Sequence, residues 1–202
     1  MQPFELIMSP ADLYIALEGE TPPAVNAVPG GNWVLLGLAG KRDQDSAGVK
    51  ISHSSTFKKV STAGATGAVK AFRTAEDTFV EVAMYDMTAE TYAKAMNLAG
   101  IREVVAASGV AGYKSFGGKQ GFDVQTWSLL VRLDGVSPYG DGLNSQWYFP
   151  KVMEEGQLVM TFDSAGTPVA LNFKYTVLED PNASSEAERF FVYTAQTAVA
   201  LP

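Results

Sequence analysis

Val169 to Leu178 reads VALNFKYTVL. Val169, Leu171, Phe173, Tyr175 and Val177 alternate with Ala170, Asn172, Lys174, Thr176 and Leu178. That period of two is the period of a β-strand, with one face in a core and the other turned elsewhere. It is the cleanest alternation in the chain, and its neighbours repeat it. Thr78 to Tyr85, TFVEVAMY, and Trp127 to Leu133, WSLLVRL, read as strands. In Gln146 to Val152, QWYFPKV, Pro150 argues for an edge or a bulge, because proline cannot donate to a ladder. Gln157 to Phe162 places Leu158, Met160 and Phe162 on one face, and Arg189 to Tyr193 reads as a last short strand. Toward the N-terminus, Leu13, Ile15 and Leu17 alternate with Tyr14 and Ala16, and Asn32 to Leu38, NWVLLGL, is an apolar run suited to a buried strand.

One segment reads as helix, roughly 88–98. Thr88 suits the N-cap, Glu90 the first turn and Gly100 the C-cap. Its stripe of Tyr92, Ala95, Met96 and Ala99 packs on a sheet. Between strands lie two breaker-rich stretches. TPPAVNAVPGG, Thr21 to Gly31, carries three prolines and two glycines, and residues 18–31 read as an N-terminal arm or loop. VAASGVAGYKSFGGKQG, residues 105–121, is small, glycine-rich and loop-like. These elements predict a mainly β fold in a single domain over residues 1–202. The expected form is a β-sandwich or barrel of two packed sheets, with one flanking α-helix and a long projecting β-hairpin.

The hairpin is residues 48–73. It is polar on both faces, and so few large apolar side chains bury little by themselves. Charge marks the same region. The chain has 15 Lys and Arg against 22 Asp and Glu, a formal −7. Residues 41–73 carry seven cations and two acids, a net of +5, leaving −12 for the remainder. A basic segment on an acidic body suits docking onto an identical neighbour, or binding to nucleic acid. Lys50, Phe57, Lys58, Lys59, Lys70 and Arg73 are the candidate contact residues.

Catalytic constellations are sparse. There is no cysteine, so thiolate chemistry and disulfides are excluded, and His53 is the only histidine. A general base there needs an orienting acid and a pocket, and neither is visible. Glu76-Asp77, Glu154-Glu155 and Glu179-Asp180 are adjacent pairs, which point to opposite faces of a strand and read as strand-end solvation. GGKQG, Gly117 to Gly121, lacks the spacing of a phosphate loop, and SPYGDG, Ser137 to Gly142, lacks the alternate acids of a calcium loop. Both read as turns. No enzyme activity, cofactor or metal is expected. No apolar run of spanning length occurs, and MQPFELIMSPADLYIALEGE lacks the basic start of a signal peptide, so a soluble protein is expected.

The order of these features resembles the major tail tube proteins of long-tailed, siphovirus-type bacteriophages. The stretches that carry the resemblance are the hairpin at 48–73; FVEVAMYDMTAETYAKAMNLAG from Phe79 to Gly100; GVSPYGDGLNSQWYFPKV from Gly135 to Val152; and VALNFKYTVLEDPN from Val169 to Asn182. The resemblance implies a structural virion protein, made in the host cytoplasm and built into the tail. Its copies would form hexameric rings by joining inner sheets into one barrel, and rings would stack through arms and the hairpin around an acidic, DNA-conducting channel. Partners would be other copies, a tail terminator, a tape measure and DNA in passage. The glycine-rich 105–121 stretch departs from the simplest members. Alternatives are a terminator, distal-tail or secretion-tube ring protein of the same fold, or a nucleic-acid-binding β-domain whose Phe57, Lys58, Lys59, Phe72 and Arg73 interleave aromatics with cations.

Overall fold

The computed structural model describes residues 9–64, 66–98, 100–118, 121–162, 166 and 168–199. Residues 1–8 of the N-terminal reading, and Lys119 and Gln120 of the GGKQG turn, lie outside them. In chain order the strands are β1 (Asp12–Leu17), β2 (Val34–Leu35), β3 (Lys50–Val60), β4 (Lys70–Met84), β5 (Arg102–Val104), β6 (Tyr113–Ser115), β7 (Thr126–Leu133), β8 (Val136–Ser137), β9 (Gly140–Asp141), β10 (Ser145–Glu154), β11 (Leu171–Val177) and β12 (Val192–Ala195). The helix α1 is Ala89–Ala95. The chain is mainly β, as its alternations require.

Eight strands form one antiparallel sheet in the order β2-β1-β7-β10-β11-β4-β3, with β12 also paired to β10. The sheet forks at β10. Its first half, Ser145 to Tyr148, pairs β12, and its last three residues pair β11. Between them the register against β7 shifts from Phe149 to Val152. Pro150 therefore sits at a bulge, and its carbonyl accepts from the buried Ser128 hydroxyl at 2.8 Å. A strand that bulges in this way can serve two layers at once.

The sheet folds back on itself. Flat, β1 and β4 would stand four strand spacings apart, roughly 19 Å. Instead Gln44 bridges Met84 of β4, and its side-chain amide donates to the Ala11 carbonyl at the start of β1, 2.8 Å away. Leu13, Ile15, Leu129, Val131 and Phe149 from one limb share a core with Val80, Val82, Met84, Leu171, Phe173 and Tyr175 from the other. Each such side chain contributes about 1.5–3 kcal/mol on burial.

The second face of β1, β7 and β10 is covered as well, which is why β7 is buried at nearly every position. The cover is the 18–31 segment, held by its backbone carbonyls. Tyr148 donates to Glu20, Gln146 to Pro23, and both Arg132 and Asn144 to Val25, at 2.9–3.2 Å. The Trp33 indole donates to Thr21 at 2.9 Å and packs with Ala16, Leu130, Tyr14 and Tyr148. The expected arm is thus a loop without helix, and in this chain it is a strap across the sheet.

Local readings differ in places. The helix is shorter than 88–98. Thr88 caps it as expected, accepting the Thr91 N–H, but the chain turns out at Met96, and Asn97 takes the left-handed conformation (φ 56°) before Gly100 is reached. Asn32 to Leu38 pairs over only two residues, and Leu38 is exposed. Residues 157–162 form no strand; Leu158 and Met160 lie against the core and Phe162 faces solvent. The 105–121 stretch contains β6, which pairs β5 in a two-stranded ribbon. That ribbon is tied to α1 by a Tyr92–Phe116 edge contact at 5.0 Å and a Lys114–Glu90 ion pair.

Candidate assembly interface

The hairpin is longer than the sequence suggests, because Lys70–Met84 is one continuous strand. Its inner part belongs to the sheet: from Thr78 inward, alternate β4 residues are buried. Its outer part leaves the body, and every residue from Lys70 to Ala75 is exposed. A bulge marks the change. Thr56 faces Ala75 and Phe57 faces Arg73, so Thr74 is the extra residue, and its hydroxyl donates to the Thr56 carbonyl at 3.2 Å.

Just inside the bulge lies a polar clasp. His53 Nδ1 meets Thr78 Oγ1 at 2.9 Å, and His53 Nε2 lies 3.2 Å from Glu76 Oε1. The other Glu76 oxygen accepts from Arg73 at 2.5 Å. Ser55 shares the Nε2 side at 3.4 Å; the acid that the sequence did not show beside His53 is thus Glu76, with the Thr78 hydroxyl on the other ring nitrogen.

Outside the bulge, residues 57–73 carry four cations and no acid. Phe57 sits opposite Arg73, whose guanidinium lies 5.7 Å from the ring centroid. Phe72 sits opposite Lys58, with Lys70 Nζ 4.9 Å from its ring. Directly opposed residues share a face, so each face of the ribbon shows one phenylalanine and flanking cations. Phe57 is 52% exposed and Phe72 47%. Among the described residues, Lys58, Lys59 and Lys70 have no carboxylate within ion-pair distance, whereas Arg73 has Glu76.

Five of the six predicted contact residues therefore gather at the outer hairpin, and Lys50 does not. Lys50 lies at the root, 2.7 Å from Glu81. Glu81 stands opposite both Lys50 and Lys174, and Lys174 reaches Glu155 at 2.9 Å. This cross-strand row is charge-balanced. The Glu155 hydrogen bond holds the Lys174 ammonium above its ordinary value, and the same contact holds Glu155 below its own. Phe72, which the sequence reading names only in its nucleic-acid alternative, lies on the same outer ribbon, opposite Lys58.

β3 is also the outermost strand of its edge. Its 11 residues extend about 36 Å with one side of the backbone unpaired among the described residues. An edge of that length is a template for another strand, and the lysines on it limit indiscriminate pairing.

Glu154 was read as solvated and is not: it is 7% exposed. Its carboxylate accepts the backbone N–H groups of Gly156 and Lys174 at 3.0–3.1 Å, standing in for a strand beside β11. Burial pushes its pKa up, against those N–H donors. A Cβ on Gly156 would lie 2.6 Å from that carboxylate and would displace it from this position. Asp86 is the opposite case. Burial raises it, but the N–H of Thr88, the hydroxyls of Thr91 and Thr88 and the N–H of Leu38 outweigh burial and leave it below its ordinary value.

Among the described residues, no three His, Asp or Glu side chains gather as a metal site, and no helix is long and apolar enough to cross a membrane. No model of a known protein family matches the chain, and no curated protein matches it.

Proposed function

We propose that the chain is a self-assembling structural subunit of the tail-tube type, whose copies join into rings that stack into the DNA-conducting tube of a phage tail. The observation that carries this reading is the outer hairpin. It presents Phe57, Phe72, Val60 and Val69 to solvent on a ribbon that its own body does not cover. Exposed apolar side chains grouped with cations mark a surface that another molecule covers. The long open β3 edge adds a second means of joining copies. Copies joined by a non-closing contact build filaments, and copies joined by a closing one build rings. In this reading a terminator and a tape measure are further partners, and the tail is the site of action.

The test is light scattering on the purified chain over a concentration series, beside Phe57→Ser/Phe72→Ser. The parent should reach ring and tube masses and the variant should remain a monomer. Rings that never polymerise would favour a terminator or distal-tail part of the same fold. A parent that is monomeric at every concentration would contradict the proposal.

A further inference from the structure

We infer that the outer hairpin of one copy seats its lysines against the acidic hairpin root of a neighbouring copy, which rests on the assembly reading above. β11 ends at Val177, one residue past the Thr176–Phe79 pair. Residues 178–189 therefore leave the sheet beside Thr78 and Asp77, at the point where the hairpin leaves the body. That loop holds Glu179, Asp180, Glu186 and Glu188 with Arg189 as its one cation. Arg189 is engaged by Glu179 at 2.7 Å, and Glu76 at the root is engaged by Arg73 and His53. Asp77, Asp180, Glu186 and Glu188 are left without a cation among the described residues. Three lysines without carboxylates thus lie on the outer hairpin; one carboxylate without a cation, Asp77, lies at its root, and three more lie in the loop that leaves the sheet beside it.

The chain cannot satisfy both by itself. Phe72, opposite Lys58, is five residues along β4 from Asp77, about 17 Å, and Lys70 is about 24 Å away on a straight ribbon. A second copy placed alongside brings its root to this tip. The contact is head-to-tail: each copy gives a tip and receives one, as a ring requires. Phe72, on the face of Lys58 and Lys70, then lies inside the contact, where exclusion of water strengthens the lysine–carboxylate pairs.

The test is zero-length carbodiimide coupling on assemblies made from equal parts of isotopically light and heavy full-length chain, read by mass spectrometry. Mixed-isotope links from Lys58, Lys59 or Lys70 to Asp77, Asp180, Glu186 or Glu188 are expected. In parallel, Lys58→Glu/Lys59→Glu and Glu186→Lys/Glu188→Lys should each raise the concentration needed for assembly about tenfold or more, and together should restore most of it. Assemblies whose hairpin lysines couple only to other acids, such as Asp43, Asp45 or Asp141, overturn this inference and leave the assembly reading standing. A chain that never assembles overturns both.

Discussion

Arg132 is one of the side chains that donate to the strap's carbonyls, and Arg132→Met isolates its share. The guanidinium is 2% exposed. Its Nε donates to Asp134 at 2.5 Å, Nη1 to Gln146 Oε1 at 3.1 Å, and Nη2 to the Val25 carbonyl at 3.2 Å. Methionine fills much of the volume and removes all three bonds. The Val25 carbonyl keeps Asn144, so it is not orphaned. Asp134 is half exposed and regains water. The Gln146 oxygen is buried and loses its donor, at about 1–3 kcal/mol. The lost strap bond adds about 1 kcal/mol, and relief of the buried charge offsets part of the total. The expected net cost is about 2–3 kcal/mol. Urea unfolding followed by tryptophan fluorescence should show a lower midpoint at an unchanged slope. Hydrogen exchange should show residues 20–33 losing more protection than β4 or β11. A cost below about 0.5 kcal/mol, with the strap as protected as before, would refute the anchoring argument.

Tyr175 is fully buried and its hydroxyl has no partner among the described residues, so Tyr175→Phe should hold or raise stability by about 1 kcal/mol in chemical denaturation; a loss above that would show a partner for the hydroxyl. Asp86→Asn should cost about 1–3 kcal/mol at pH 7, because the carboxylate serves Leu38, Thr88 and Thr91. Since folding lowers the Asp86 pKa, its contribution is present above the ordinary aspartate value and is lost as pH falls through the folded one, so the two proteins should converge in stability below about pH 4. Glu154 has the opposite sign: its pKa is raised, so its favourable contribution is complete below the ordinary glutamate value and fades as pH rises through the folded one. Stability of Glu154→Gln should accordingly vary less from about pH 4.5 upward than the parent's. Phe57→Ser/Phe72→Ser should leave monomer stability within about 0.5 kcal/mol in the same assay, because both rings are already half exposed.

The alternation at 169–178, the Thr88 cap and the bulge at Pro150 were legible because each rests on a local rule: parity, a capping hydroxyl, a missing N–H. The hairpin was legible as an extended, polar, basic ribbon. Its length was not, because the run from Lys70 to Met84 changes from exposed to buried without changing conformation. The strap shows the limit from the other side. Proline and glycine in TPPAVNAVPGG say that no helix forms, but the contacts that hold the segment use its carbonyls, which carry no sequence signal. Nothing in the sequence sets their donors, Arg132 and Gln146, apart from other polar residues on a strand. Glu154 misled for a related reason: its partners are backbone N–H groups of Gly156 and Lys174, which only the folded chain brings to it. Of the candidate contact residues, Phe57, Lys58, Lys59, Lys70 and Arg73 lie together on the outer ribbon, while Lys50, chosen by charge, lies at the root against Glu81. That the acid-rich 178–189 loop starts beside Asp77 was invisible, because the two are far apart in sequence and only the β4–β11 pairing brings the loop's start to the hairpin root.

The most direct test is a negative-stain image of the purified full-length chain at high concentration. The account predicts rings of uniform diameter and stacked tubes that vanish in Lys58→Glu/Lys59→Glu. A field of single particles of about 22 kDa size, unchanged by concentration, would contradict it.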